Sequence, residues 1–156
     1  MSEPVGRHRV ETAAHALGLA VELVERPAAS SLEEAAEMLG VPASTIVKTL
    51  VVKKADGSFV LVLVPGDRQI AWKQLRAELG VNKLQLPDAD QALAATGYER
   101  GTITPLGTST TWPVVVDRSV LDRRIALGAG EHGWSAWVDA DALVTALGAT
   151  VADISQ

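Results

Sequence analysis

Lys48 is the residue whose type and placement most invite chemistry. It lies in the run Ile46 to Lys53, where strand alternation sets Ile46, Lys48, Leu50 and Val52 on one face and Val47, Thr49, Val51 and Lys53 on the other. Both faces are apolar enough to predict burial. A lysine there must find a partner, lose its proton or run its amine out to solvent. Two glycine-rich stretches could complete a site around it. The first, from Thr96 to Gly107, has three glycines and a proline and can hold carbonyls and N–H groups at fixed positions against a ligand, or can simply connect elements at the surface. The second, Gly128-Ala129-Gly130-Glu131-His132-Gly133, has the spacing G-x-G-x-x-G. A dinucleotide site needs a helix to open at the last glycine, but Trp134 to Val138 reads as a strand. A tight turn lining a pocket with its backbone is the better expectation. His132 sits in that turn, where it can reach a ligand or merely be solvated.

Other chemistries lack their residues. The chain has no cysteine, which removes disulfides, thiolate nucleophiles and Cys-based metal sites. The three histidines, His8, His15 and His132, are scattered, so no metal is expected; His8 and His15 are expected to be surface or packing residues. No Walker A, H-E-x-x-H or G-x-S-x-G pattern occurs, and no cofactor is expected.

The elements that must position these residues can be read in order. Helices are expected over Arg9 to Leu19, from a Ser31 cap to Met38 or Leu39 with Gly40 as the stop, over Ile70 to Leu79, from Asp88 to Ala95, and from Asp139 or Asp141 to Leu147. Strands are expected over Ala20 to Glu25, Ile46 to Lys53, Ser58 to Val64, Lys83 to Leu86, Val114 to Val116, Arg124 to Leu127, Trp134 to Val138 and Thr150 to Ile154. Asp56-Gly57 makes the central pair a hairpin, so the sheet must be mixed. Residues 97 to 113 carry no periodicity and read as a long loop.

At 156 residues, with 47% hydrophobic and 21% charged residues, residues 1–156 are expected to form one α/β domain with its own core. Arg7, His8, Arg9, Glu11 and His15 interrupt any leader, and no apolar run is long enough to span a bilayer, so a soluble protein of the bacterial cytoplasm with no membrane partner is expected. The net charge of −5 argues against gripping nucleic acid by bulk electrostatics. Charge is uneven, however. Ile46 to Lys83 holds seven basic and three acidic residues, a local +4 that suits contact with one phosphate-bearing end.

Taken together, Ser31 to Val41, Ile46-Val47-Lys48-Thr49-Leu50, Val64-Pro65-Gly66-Asp67, Thr96-Gly97-Tyr98 through Gly107, and Leu147-Gly148-Ala149 to Ile154 resemble the YbaK family of aminoacyl-tRNA editing domains, also found inserted in bacterial prolyl-tRNA synthetases. The resemblance runs in order along nearly the whole chain. It implies an α+β fold whose mixed sheet curls into a partly closed barrel with flanking helices. It also implies a stand-alone, trans-acting hydrolase that deacylates misacylated tRNA, mischarged proline tRNA or a similar tRNA first. Its partners would be the aminoacyl-tRNA 3′ end and, as a candidate, prolyl-tRNA synthetase. Lys48 would be the residue tied to activity. Gly101, Thr102, Ile103, Thr104 and Pro105 would contact substrate through their backbone, and Gly128, Ala129, Gly130 and His132 would form a further wall. Gly101-Thr102 stands where the family usually has two glycines, and Val24 to Ser31 lacks the aromatics of some relatives. A non-catalytic module of the same fold, holding tRNA ends or a synthetase, is the alternative.

Overall fold

The computed structural model describes residues 5–27 and 29–156. Among the described residues five α-helices and eight strands follow one another as α1 (Gly6–Ala16), β1 (Glu22–Glu25), α2 (Leu32–Leu39), β2 (Val47–Lys54), β3 (Phe59–Pro65), α3 (Trp72–Leu79), β4 (Leu84–Gln85), α4 (Ala89–Thr96), β5 (Val114–Asp117), β6 (Arg124–Gly128), β7 (Trp134–Asp139), α5 (Ala140–Leu147) and β8 (Thr150–Ala152). The order matches the sequence expectation, with boundaries moved by a few residues. The first helix shows the largest displacement, beginning at Gly6 and ending at Ala16.

Local chemistry explains the helix starts. Ser31, Asp88 and Asp139 each accept a backbone N–H of their helix's first turn through the side chain. Glu34 does not reach back to Ser31 as a capping box would; its carboxylate takes the N–H and hydroxyl of Ser30 instead. Gly40 ends α2 at φ 68°, the left-handed conformation a side chain would resist.

The strands form two sheets, not a closed barrel. One has the order β4-β2-β3-β5-β8 and the other β1-β7-β6. The β2–β3 pair is the expected antiparallel hairpin, while β3–β5 and β5–β8 are parallel, so the larger sheet is mixed. A parallel bridge between Ile46 and Ala126 joins the two sheets just before β2 begins. Beyond it the strands diverge. β3 is buried along almost its whole length because apolar clusters pack on both of its faces. Leu61 and Leu63 belong to the larger cluster with Val10, Ile125, Val138 and Leu143; Val60, Val62 and Val64 belong to the smaller one under Ile70 and Leu75. No described helix is long and apolar enough to cross a membrane.

Candidate functional site

A cleft of about 930 Å³ opens in the wedge where the two sheets part. One side is Ile46 to Val51, and the other is Ala126 to Gly128 with His132 to Ser135. Gly101 and Ile103 of the long loop, the start of α2 and the start of α4 close it. Among its lining side chains the cations Arg26, Lys48 and Arg100 face a single carboxylate, Asp88, so the cleft favours anions. Asp88 is engaged in capping α4.

Of the residues singled out from sequence, Lys48, Gly101, Ile103, Gly128 and His132 border the cleft. Thr102, Thr104, Pro105, Ala129 and Gly130 are not on its lining, and of these Thr102, Thr104, Pro105 and Ala129 are buried. Their work is internal. Thr102 Oγ1 donates to the Glu99 carbonyl, and the Thr102 carbonyl accepts the Gly130 N–H at 3.0 Å, which fastens the long loop to the glycine turn. His132 Nε2 lies 3.5 Å from Glu99 Oε2 with both side chains largely exposed. His8 and His15 are exposed on α1.

Lys48 is half buried and finds a partner: its Nζ donates to the Arg68 carbonyl. The Arg68 guanidinium in turn donates to the hydroxyl and carbonyl of Ser155, at 2.6 and 2.9 Å. The lysine is thus tied through Arg68 to the end of the chain.

The Thr-Gly-Tyr segment builds the loop from beneath. Thr96 Oγ1 donates to the Ala92 carbonyl and accepts the Tyr98 N–H, which ends α4 and turns Tyr98 inward. Tyr98 is buried, and its hydroxyl donates to the Leu106 carbonyl at 2.6 Å. The Arg9 guanidinium lies 5.0 Å from the ring centroid. Burial pushes the phenol's pKa up to about 12, with Arg9 opposing only in part.

The turn at 128–133 joins β6 to β7 as a hairpin, which settles the G-x-G-x-x-G spacing as a strand connection with no helix after it. Its fit against the loop depends on Gly128. A Cβ built there would stand 2.4 Å from the Ile103 carbonyl oxygen and 2.9 Å from that of Thr102. Arg7 holds the turn from the far side. Its N–H donates to Glu131 Oε1 at 2.9 Å, its guanidinium reaches both carboxylate oxygens at 3.1 Å, and its Cζ stands 4.3 Å from the Trp134 ring centroid. The Arg7 N–H, followed by its charge, keeps the Glu131 carboxyl below its ordinary pKa. Arg26 holds the third side, donating from its N–H to the Gly133 carbonyl and from Nε to Ser135 Oγ at 3.0 Å.

Arg7, Arg26, Glu131 and Ser135 were not singled out from sequence. They come together from chain positions more than 100 residues apart, and no local pattern announces that pairing. Among the described residues no three His, Asp or Glu side chains converge where a metal could be held.

The model of the family described as "Aminoacyl-tRNA editing domain" matches residues 26–146. Every residue lining the cleft falls within that span. The proline–tRNA ligase of Trichlorobacter lovleyi is 37% identical over 101 residues, 65% of this chain and 18% of that one. The proline–tRNA ligase of Lactobacillus gasseri is 33% identical over 109 residues, 69% and 19% of the two chains. The chain therefore spans under a quarter of the length of these curated relatives. A solved structure described as "a putative trans-editing enzyme for prolyl tRNA synthetase" is 26% identical, covers 99% of both chains and has a TM-score of 0.89.

Proposed function

The chain belongs to the aminoacyl-tRNA editing domain family, and on that premise we propose that it acts in trans as a deacylase of misacylated tRNA, with mischarged proline tRNA the first substrate to test. The observation that carries the reading is the cleft itself. It is cationic, it lies wholly within the family-matched region, and at about 930 Å³ it is at the upper end of the usual range for small-molecule sites, roughly 300–1,000 Å³.

The reaction is hydrolysis of the ester between the amino acid and the terminal ribose. A water oxygen adds to the ester carbonyl carbon, the tetrahedral oxyanion collapses, and the C–O bond to the ribose breaks. The ribose oxygen leaves with a proton, giving free amino acid and uncharged tRNA. The chain has no thiol, so an acyl-cysteine route is closed. Such a site works by positioning the ester and water and by stabilising the oxyanion with fixed donors, which contribute a few kcal/mol each. Arg26 and Arg100, both on the cleft's lining, are the side chains that would meet a phosphodiester of the tRNA end. Lys48 is the cation set into the strand wall, and its role is to hold the substrate's reacting end in register. Prolyl-tRNA synthetase is the candidate partner that would present the acceptor end.

A panel of mischarged tRNAs, with release of free amino acid followed in time, tests the reading. Turnover on at least one member is expected. Lys48→Ala should lower the rate by at least roughly tenfold. Binding of charged tRNA with no release from any member would favour the non-catalytic module.

A further inference from the structure

The register of the β2–β3 hairpin determines which backbone groups of β2 are spent on β3. Gly66 N–H donates to the Ile46 carbonyl at 2.7 Å and Lys54 N–H to the Ser58 carbonyl at 2.8 Å, so the even-numbered residues are the hydrogen-bonded pairs of this ladder. Lys48, Leu50 and Val52 therefore turn their main-chain groups toward β3. Val47, Thr49 and Val51 turn theirs to the opposite edge. That edge is covered by the Ala126 bridge at Ile46 and by β4 at Lys53 and Lys54. Between those points no described strand pairs with it, and Thr49 is at the centre of the gap.

The gap opens on the cleft. Six consecutive residues, Ile46 to Val51, border it, drawn from both faces of the strand, as happens when a cleft meets a strand along its edge. The Thr49 side chain adds a second sign of an incomplete site: its Oγ1 is buried and has no hydrogen-bond partner among the described residues.

We propose that the Thr49 edge is the subsite for the aminoacyl group, an inference that rests on the functional reading above. An aminoacyl ester presents an amine and a carbonyl one carbon apart, as a strand residue does. Laid antiparallel opposite Thr49, its α-ammonium donates to the Thr49 carbonyl and its ester carbonyl accepts the Thr49 N–H. This is the two-bond exchange of a hydrogen-bonded strand pair. Any α-amino acid satisfies it, whatever its side chain. The N–H that orients the ester carbonyl is also a fixed donor for the oxyanion formed there. The substrate's side chain then falls on the same side of the sheet as that of Thr49, between the positions of Val47 and Val51.

The test uses the full chain labelled with ¹⁵N and 3′-deoxy-3′-(alanylamino)adenosine, an amide analogue that resists hydrolysis. The expected result is a downfield shift and slowed exchange of the Thr49 amide on binding, with the Val52 amide, already bonded to β3, unmoved. Replacing the Thr49 backbone N–H by an ester oxygen should weaken binding of the analogue at least roughly tenfold. The same replacement at Val52 should lower the thermal midpoint while leaving affinity intact. An analogue that binds with Thr49 unperturbed, or that does not bind at all, overturns the inference. Turnover by the unmodified chain decides the functional reading separately. Analogue seated on Thr49 without turnover of any tRNA would sink that reading alone, and turnover with Thr49 unperturbed would sink the subsite alone.

Discussion

Replacing Gly128 by alanine tests whether the contact between loop and turn sets the cleft's working geometry. Gly128 does not need a left-handed backbone, so an added methyl acts through space alone. The new Cβ would lie 2.4 Å from the Ile103 carbonyl oxygen, and approaches under 3.0 Å are essentially never seen for real Cβ atoms. The loop must therefore retreat by at least 0.6 Å, the difference of those two distances. The obstructing atoms are backbone, and the Gly130 to Thr102 hydrogen bond resists the retreat. Overpacking of this kind costs about 1–3 kcal/mol. For a chain this long that is roughly 2–12 °C in Tm. Misplacing a reacting group by about 1 Å costs on the order of a hundredfold in rate, so Gly128→Ala should lose at least about tenfold in kcat/KM. The assay is single-turnover deacylation at a temperature where circular dichroism shows the variant folded. Gly40→Ala is the control. It strains a left-handed residue whose added Cβ would meet nothing within 4 Å, so it should lower Tm and leave the rate alone. Gly128→Ala with a rate within about twofold of the parent would refute the claim that the loop must sit where it does.

Tyr98 is the single tyrosine, so the ultraviolet band of its phenolate reports on it alone. In the folded chain it should titrate near 12, and in denaturant near the ordinary value of 10. Because the folded value is the higher, the unfolded chain loses this proton first, and stability should fall as pH rises from about 10 toward 12; Tyr98→Phe should flatten that fall. Tyr98→Phe also strands the buried Leu106 carbonyl, which should cost about 1–3 kcal/mol by denaturant unfolding. Binding of uncharged tRNA should be weak and should weaken further with salt, since a chain of net charge −5 can neutralise few phosphates; filter binding at two salt concentrations reads this, and tight, salt-insensitive binding would contradict it.

The parts legible in the sequence were those governed by neighbours along the chain. Ser31, Asp88 and Asp139 cap where their types predict, and Asp56-Gly57 turns the central hairpin. Period-two alternation correctly set Lys48 with Leu50 and Val52, away from Val47 and Val51. What was not legible depends on packing between distant segments. Nothing in the spelling of 101–105 says that Gly101 and Ile103 border the cleft while Thr102, Thr104 and Pro105 turn inward, because that depends on where the 128–133 turn sits. Thr49 escaped notice for a similar reason. Its main chain becomes available only because β4 is two residues long and pairs no farther than Lys53.

The short β4 has a further consequence, for how the protein survives at high concentration. An uncovered stretch of β-branched residues such as Val47-Thr49-Val51 is the template on which chains stack into aggregates. Steric zippers draw on segments of six or seven residues, and here the Ala126 bridge and β4 confine the open stretch to the six residues 47–52, the short end of that range. The opening is also recessed between the starts of α2 and α4, where a small ligand can enter but the flat face of another sheet cannot lie flush. Lys48, within this stretch, adds a charge that would be stacked against its own copies in any growing ladder. The same concavity that admits a single amino acid thus keeps the strand from recruiting its own kind.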